Sequence, residues 1–330
     1  MLNTIKKFTS VNSVSGSEEK LRALIEKEIL PFVDSVQTDA MGNLIAYKKG
    51  ENSEKKLMVA AHMDEIGFVV TYIEDNGIIR VSNIGGIRPI ASAYHPVVFA
   101  NGTIGILGID ANTKPEEIKI NKLFVDIGAK SRREAEKKVK IGDICAVAPS
   151  FKKLAGGRYA AKAFDDRIGC AVAVDAARNA KKTAMDTYYV FTVQEEVGLR
   201  GSKPSAFSVM PDYAVAIDVT TADAPGEKGV SVTLGGGAAI KIKDSSVICS
   251  KVMVDRLTAL AKENNIKHQY EILTAGGTDT ASMQLAGAGS VAGCISIPTR
   301  YIHSPVEVLD LADVKACSQL LTALIENGIE

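Results

Sequence analysis

Apolar residues follow two rhythms along the chain, and the change of rhythm divides it. Near the N-terminus, "SGSEEKLRALIEKEIL" puts Leu21, Leu24, Ile25 and Ile29 on one face of a helix, with Ser15 and Glu18 at capping-box spacing and Pro31 ending it. "MGNLIAYKKG" reads as a strand and turn, and "KKLMVAAHMDEIG" has the short unbroken apolar run of a strand buried on both faces. From about Phe68 to Ala161 the pattern becomes strand-dominated. "GFVVTYIEDNGIIRVS" gives two strands, "PVVFANGTIGIL" a hairpin turning at Asn101-Gly102, and "LFVDIGA" and "ICAVAP" one strand each, while "SRREAEKKV" alone looks helical. Strand and helix then alternate from "DDRIGCAVAVDAARNA" to "LADVKACSQLLTALIENG". The pattern predicts an α/β protein whose main α/β/α domain, residues 1–66 plus 162–330, has a largely parallel central sheet. A β-rich, barrel-like domain, residues 67–161, is inserted into it.

Composition narrows the partners. The 39 basic residues among 330 balance 39 acidic ones, so the electrostatic footprint of a nucleic-acid or anionic-membrane binder is missing and neither partner is expected. "MLNTIKKFTSVNSVSGSEEK" has no apolar stretch of signal-peptide length, and no later run reaches the roughly 18 apolar residues of a membrane span; a cytoplasmic location is expected. Five cysteines without a CxxC pair point to buried free thiols rather than a disulfide frame or thiolate zinc site.

The candidate chemistry lies just beyond the apolar runs, where open α/β sheets bind their ligands. "LMVAA" is followed by His62 and Asp64, "YYVFTV" by Glu195 and Glu196, "YAVAI" by Asp218, and "GCISI", after a short loop, by His303. Asp165 and Asp166 precede a helix that begins near Arg167. Taken singly, each has an ordinary explanation: an N-cap for each aspartate, a hydrogen-bonded surface histidine, a solvated turn for the glutamates. Together, two imidazoles and several carboxylates suit two divalent ions of the zinc, cobalt or manganese kind with one carboxylate shared. Ions about 3.5 to 4 Å apart can clamp a water as hydroxide and polarise a carbonyl. Adjacent glutamates on a turning chain can divide the work, one binding metal and the other facing the water. His95 and His268 lack acidic neighbours and read as structural or surface residues. "LGGGAAI" and "AGGTDTA" lack phosphate-loop spacing and read as turns lining a pocket.

In "AAHMDEIGF", "AKAFDDRIGC", "TVQEEVGLRGS", "AIDVTTADAPG", "GGTDTASMQ" and "RYIHSPVEV", the chain resembles the glutamyl, or tetrahedral, aminopeptidase family, metallopeptidases with two co-catalytic metals. The resemblance implies removal of N-terminal residues from short peptides through a metal-bridged hydroxide. It implies that His62 and Asp218 bind one metal, Glu196 and His303 the other, and that Asp165 bridges both. Glu195 would be the general base, Asp64 would support His62 from behind, and Asp166 would neighbour Asp165. It further implies a homo-oligomer, with the insert as dimerisation domain and dimers assembling to a tetrahedral dodecamer. Gly236 stands where a lysine is common in the family, a departure that bears on assembly and substrate preference rather than on chemistry. A metal-dependent deacylase, a glycosidase with paired carboxylates and a non-enzymatic binding module are the competing readings.

Overall fold

Four strands, Met185–Thr192, Asn52–His62, Tyr213–Thr221 and Val291–Arg300, run parallel in that order through the middle of an 11-stranded sheet in the computed structural model, which describes residues 1–226 and 229–329. Alternate side chains of the second strand enter different cores, as the strand pleat requires. Leu57, Val59 and Ala61 join the cluster containing the helices Phe164–Asn179 and Leu311–Asn327, whereas Met58 and Ala60 meet Ala206, Val209 and Met283 on the opposite face. This two-sided burial is why the run is apolar without alternation. Parallel pairing holds for the middle of the sheet and for an off-path pair, Ala238–Lys243 with His268–Ile272. Leu44–Lys48 and Ser35–Thr38 add antiparallel strands at one flank; Glu307–Asp310, Arg158–Ala161 and Phe151–Lys153 do so at the other.

Six strands between Gly67 and Val147 close into a separate barrel with its own core, which includes Phe68, Val70, Ile79, Phe99, Leu107 and Val125. Its hairpin turns through Asn101 and Gly102, where Gly102 has φ +88°. The barrel is shorter than the segment first grouped with it: residues 151–161 hydrogen-bond into the large sheet.

Three local expectations give way to longer-range contacts. Ser15 and Glu18 form no capping box; the helix is Glu19–Ile29 without a side-chain cap, because the Ser15 hydroxyl donates to buried Asp64 and Glu18 Oε1 accepts from the Gly16 and Gln194 N–H groups. Asp218 lies inside its strand rather than after it. The glycines of "LGGGAAI" turn at Gly235 and Gly237, both with φ near +90°, then lead into a strand, Ala238–Lys243, and their amides bind Asp313. "AGGTDTA" does line the central cleft.

Candidate active site

The site opens where two parallel strands part. Tyr213–Thr221 pairs with Asn52–His62 only as far as Ala216 opposite Ala60, while its pairing with Val291–Arg300 continues to Thr221. His62 and Asp218 therefore meet in the gap, with His62 Nε2 3.9 Å from Asp218 Oδ1. Such a parting, at the carboxyl ends of strands, is where α/β sheets form their crevices.

Asp165 is delivered by the start of the Phe164–Asn179 helix, where Asp165 and Asp166 have non-helical dihedrals and Ala163, just before, has φ +55°. The two aspartates then part company. Asp166 accepts the N–H of Gly169 three residues on, as a helix cap does, and its other oxygen faces the N–H of His62 at 3.3 Å. Asp165 caps nothing: its Oδ1 lies 3.0 Å from His62 Nε2 and its Oδ2 3.3 Å from His303 Nε2. One carboxylate thus faces two imidazoles. Glu196 Oε2 completes the second cluster, 3.1 Å from His303 Nε2.

Glu195 and Glu196 diverge because their turn is pinned from behind. Gln194 has φ +55°, and the carboxylate of Asp64 accepts both following N–H groups, from Glu195 at 3.0 Å and from Glu196 at 3.1 Å. Glu195 Oε2 then stands 4.0 Å from His62 Nε2, on the other side of the turn from the Glu196–His303 contact. Ala163, Gln194 and His303, at φ +60°, are non-glycine residues in the left-handed region, each costing about 1–3 kcal/mol, and all three adjoin or belong to the site.

The electrostatics are those of a crowded anionic centre. Burial lifts the Glu195 carboxyl well above the usual range; His62 opposes this, and Asp218 reinforces it. Burial likewise raises Asp218 and Asp166. Asp165 goes the other way: burial opposes ionisation, but hydrogen bonds with His303 and His62 hold its carboxyl well below normal. Burial would lower His303, yet its contacts with Asp165 and Glu196 push it up to about 11. Paired carboxylates that draw protons onto both histidines describe a site short of positive charge.

Divalent ions fit that shortage. Single donor atoms of His62, Asp165 and Glu196 lie within 4.8 Å of one another, as do those of His62, Asp166 and Asp218. His62 Nδ1 already faces the Asp64 carbonyl oxygen at 3.2 Å, so only Nε2 is free and one histidine cannot serve both clusters. His303 supplies the second imidazole. Both oxygens of Asp166 are turned to backbone N–H groups, which leaves Asp218 the better donor beside His62.

The clusters open onto a cleft of about 530 Å³ whose lining also includes Arg88 of the barrel, Lys241 and Thr278. That volume is in the range of about 300–1,000 Å³ usual for small-ligand sites. Several contributors carried no signal in the apolar pattern. Glu307 accepts the N–H groups of Asp165 and His303, Asp279 accepts from Thr192, and Lys241 is buried against Glu271 at 2.6 Å. Glu307 and Asp279 follow loops already singled out, "IHSPVE" and "GGTDTA", and acids on such short loops were the available clue. His95 and His268 lie outside the cleft, each facing a backbone carbonyl two residues away.

Fold and site together define a metallopeptidase-type hydrolase. The chain belongs to the M42 glutamyl aminopeptidase family, whose model matches residues 42–320, and it is an aminopeptidase. It is 48% identical over 328 residues to a putative aminopeptidase of Acetivibrio thermocellus, covering 98% of both chains. Its fold is similar to that of aminopeptidase APDkam598 from the archaeon Desulfurococcus kamchatkensis, with TM-score 0.95, 39% identity and coverage of 99% and 94%. It is also similar to the Pyrococcus horikoshii TET1 peptidase, which can assemble into a tetrahedron or a large octahedral shell, with TM-score 0.89, 34% identity and 99% coverage of both chains. Among the described residues no helix is long and apolar enough to cross a membrane.

Proposed function

We propose that the protein removes N-terminal residues from short peptides with the help of two divalent ions, of zinc, cobalt or manganese. His62 and Asp218 would hold one, Glu196 and His303 the other, and Asp165 would be shared. The observation that carries this reading is the placing of the two Asp165 oxygens, 3.0 Å from one imidazole and 3.3 Å from the other. When bound, such ions acidify water and polarise a scissile carbonyl.

The chain's own part is proton handling and orientation. Glu195, whose carboxyl burial lifts well above the usual range and so makes more basic, takes the proton of the attacking water and delivers it to the leaving amine. Asp64 fixes the turn that aims Glu195 into the cleft while Glu196 faces His303. The cleft volume matches a few residues of extended peptide.

Assembly into dimers and a tetrahedral dodecamer is part of the same reading, supported by the assembling relative and by exposed Tyr94, Ile104 and Ile106 on the barrel. Five buried free cysteines suit a reducing, cytoplasmic setting.

Hydrolysis of amino-acid p-nitroanilides tests the proposal. Activity should vanish with chelator and return with zinc or cobalt, and Glu195→Gln should lower kcat by about 10²–10⁴-fold while ions still bind. Undiminished turnover in Glu195→Gln would remove the assigned base. Preference for N-blocked over free amino-acid amides would make the enzyme a deacylase instead.

A further inference from the structure

We infer that Glu307 is a positioning residue that locks Asp165 and His303 to each other and thereby sets the affinity of the second ion position. The inference rests on the two-ion reading above. Glu307 opens the strand Glu307–Asp310 and is 2% exposed. Its Oε2 accepts the N–H of Asp165 at 3.0 Å and its Oε1 accepts the N–H of His303 at 3.1 Å. The two donors belong to the shared carboxylate and to the imidazole it faces, residues on separate loops that local sequence cannot bring into register.

Both loops need an outside restraint. His303 has φ +60°, and Ala163, two residues before Asp165, has φ +55°, conformations a free chain of these residues leaves readily. Glu307 makes no ion pair among the described residues, and Lys162, whose charge it feels, is engaged by Glu65 at 2.6 and 2.7 Å. A carboxylate buried without a cation is costly unless donors satisfy it. Here its donors are the two backbone groups whose placement decides whether Asp165 Oδ2 and His303 Nε2 lie 3.3 Å apart. Asp64 does the corresponding task for Glu195 and Glu196. Two buried carboxylates, each accepting a pair of backbone N–H groups, thus hold the loops that carry Glu195, Glu196, Asp165 and His303.

Glu307→Gln separates positioning from packing. It preserves volume and one acceptor oxygen but turns an NH₂ group toward an N–H donor, so one of the two anchors must break. Chelator-stripped wild type, Glu307→Gln and Glu307→Asp are titrated with zinc alone in competition with a chromogenic chelator, and amide exchange is followed by mass spectrometry. Glu307→Gln should keep its unfolding midpoint within a few degrees while the zinc held by Glu196 and His303 weakens about 10–100-fold and the other, which depends on this anchor through Asp165 alone, weakens less. Exchange should accelerate in segments 163–167 and 301–305, and Glu307→Asp, with two acceptor oxygens on a shorter arm, should recover part of both effects. Wild-type zinc affinities and wild-type exchange in Glu307→Gln overturn the inference, as does global unfolding of both variants, which would assign Glu307 to the core. A wild-type chain that takes up fewer than two ions overturns the two-ion reading, and the exchange comparison still decides whether Glu307 anchors both loops.

Discussion

The imidazole of His303 rests against Gly86 of the barrel so closely that a Cβ on that glycine would stand 2.7 Å from Nδ1 and 3.1 Å from Cε1. Gly86 has no positive φ, so what it contributes is space rather than conformational freedom. The barrel is therefore part of the site: its 85–88 loop sets how far the His303 ring can swing from Asp165 and Glu196. Gly86→Ala should displace the ring and lower kcat/KM by about tenfold or more, since small misplacements of catalytic geometry are expensive. Gly86 is exposed, so the unfolding midpoint should hardly move. Steady-state kinetics beside a thermal melt decide it, and wild-type kcat/KM would show that the ring works from another position.

Asp64 is the anchor of the opposite side. Fully buried, it accepts from Glu195 and Glu196 N–H and from the Ser15 hydroxyl at 2.7 Å, and Oδ1 lies 3.5 Å from His62 Nδ1. Asp64→Asn puts an NH₂ against one of these donors and leaves it unsatisfied, a penalty of about 1–3 kcal/mol. Because the misdirected group is the turn bearing Glu195 and Glu196, kcat should fall more than stability does. Ser15→Ala removes one donor and leaves the turn anchored, so its loss in both measures should be smaller. Urea titrations and kinetics on both variants test this ordering, and a Ser15→Ala defect as large as that of Asp64→Asn would contradict it.

These contacts show why part of the site could be read from sequence and part could not. His62, Glu195, Glu196 and His303 stand at or beyond the ends of apolar runs, so the sheet geometry that gathers them is implied by the same runs that bury the strands. Asp165 was visible as an acid before a helix, but its difference from Asp166 was not, because that depends on which carboxylate turns to Gly169 and which to the histidines. Asp218 looked like a strand-end residue, since the parting of two strands at Ala216 leaves no mark in one strand's composition. The contacts that Glu307 and Glu18 make could not be read for a related reason. Each acts by accepting backbone N–H groups from distant segments, 142 residues away for Asp165 and 176 for Gln194, and backbone donors have no sequence identity. The Ser15 and Glu18 spacing was a true local preference, outweighed by buried Asp64, an acceptor that takes the Ser15 hydroxyl, and by the Gln194 N–H, a donor that takes Glu18 Oε1.

Metal uptake should be strongly pH-dependent. In the ion-free protein His303 is raised to about 11 and His62 is also raised, the net result of carboxylate contacts that outweigh burial, so both rings carry protons at neutral pH. An incoming divalent ion must displace them, and binding should release protons and weaken as pH falls. Zinc titrations in buffers of different ionisation enthalpy count the protons; uptake of both ions without proton release would contradict the protonated rings.

Glu18 gives the protein a stability term of definite sign. Burial raises its carboxyl from 4.5 to about 7, against the N–H groups of Gly16 and Gln194 that favour the anion. The folded state therefore binds this proton more tightly than the unfolded chain. The resulting stabilisation is complete below pH 4.5, is lost as pH rises through 7, and amounts to about 3 kcal/mol at most. Both N–H donors share Oε1, so a glutamine at this position keeps both bonds through its single carbonyl oxygen and has no proton to lose. Relative to wild type, Glu18→Gln should be least favourable near pH 4.5 and become progressively more favourable up to pH 8, with most of the change complete by pH 7 to 8. Urea midpoints of the two proteins at the same metal loading, measured across that range, give the difference directly. A difference that stays constant with pH would mean that Glu18 ionises in the folded protein as it does in the unfolded chain, and that the Gly16 and Gln194 donors offset the whole cost of burying it.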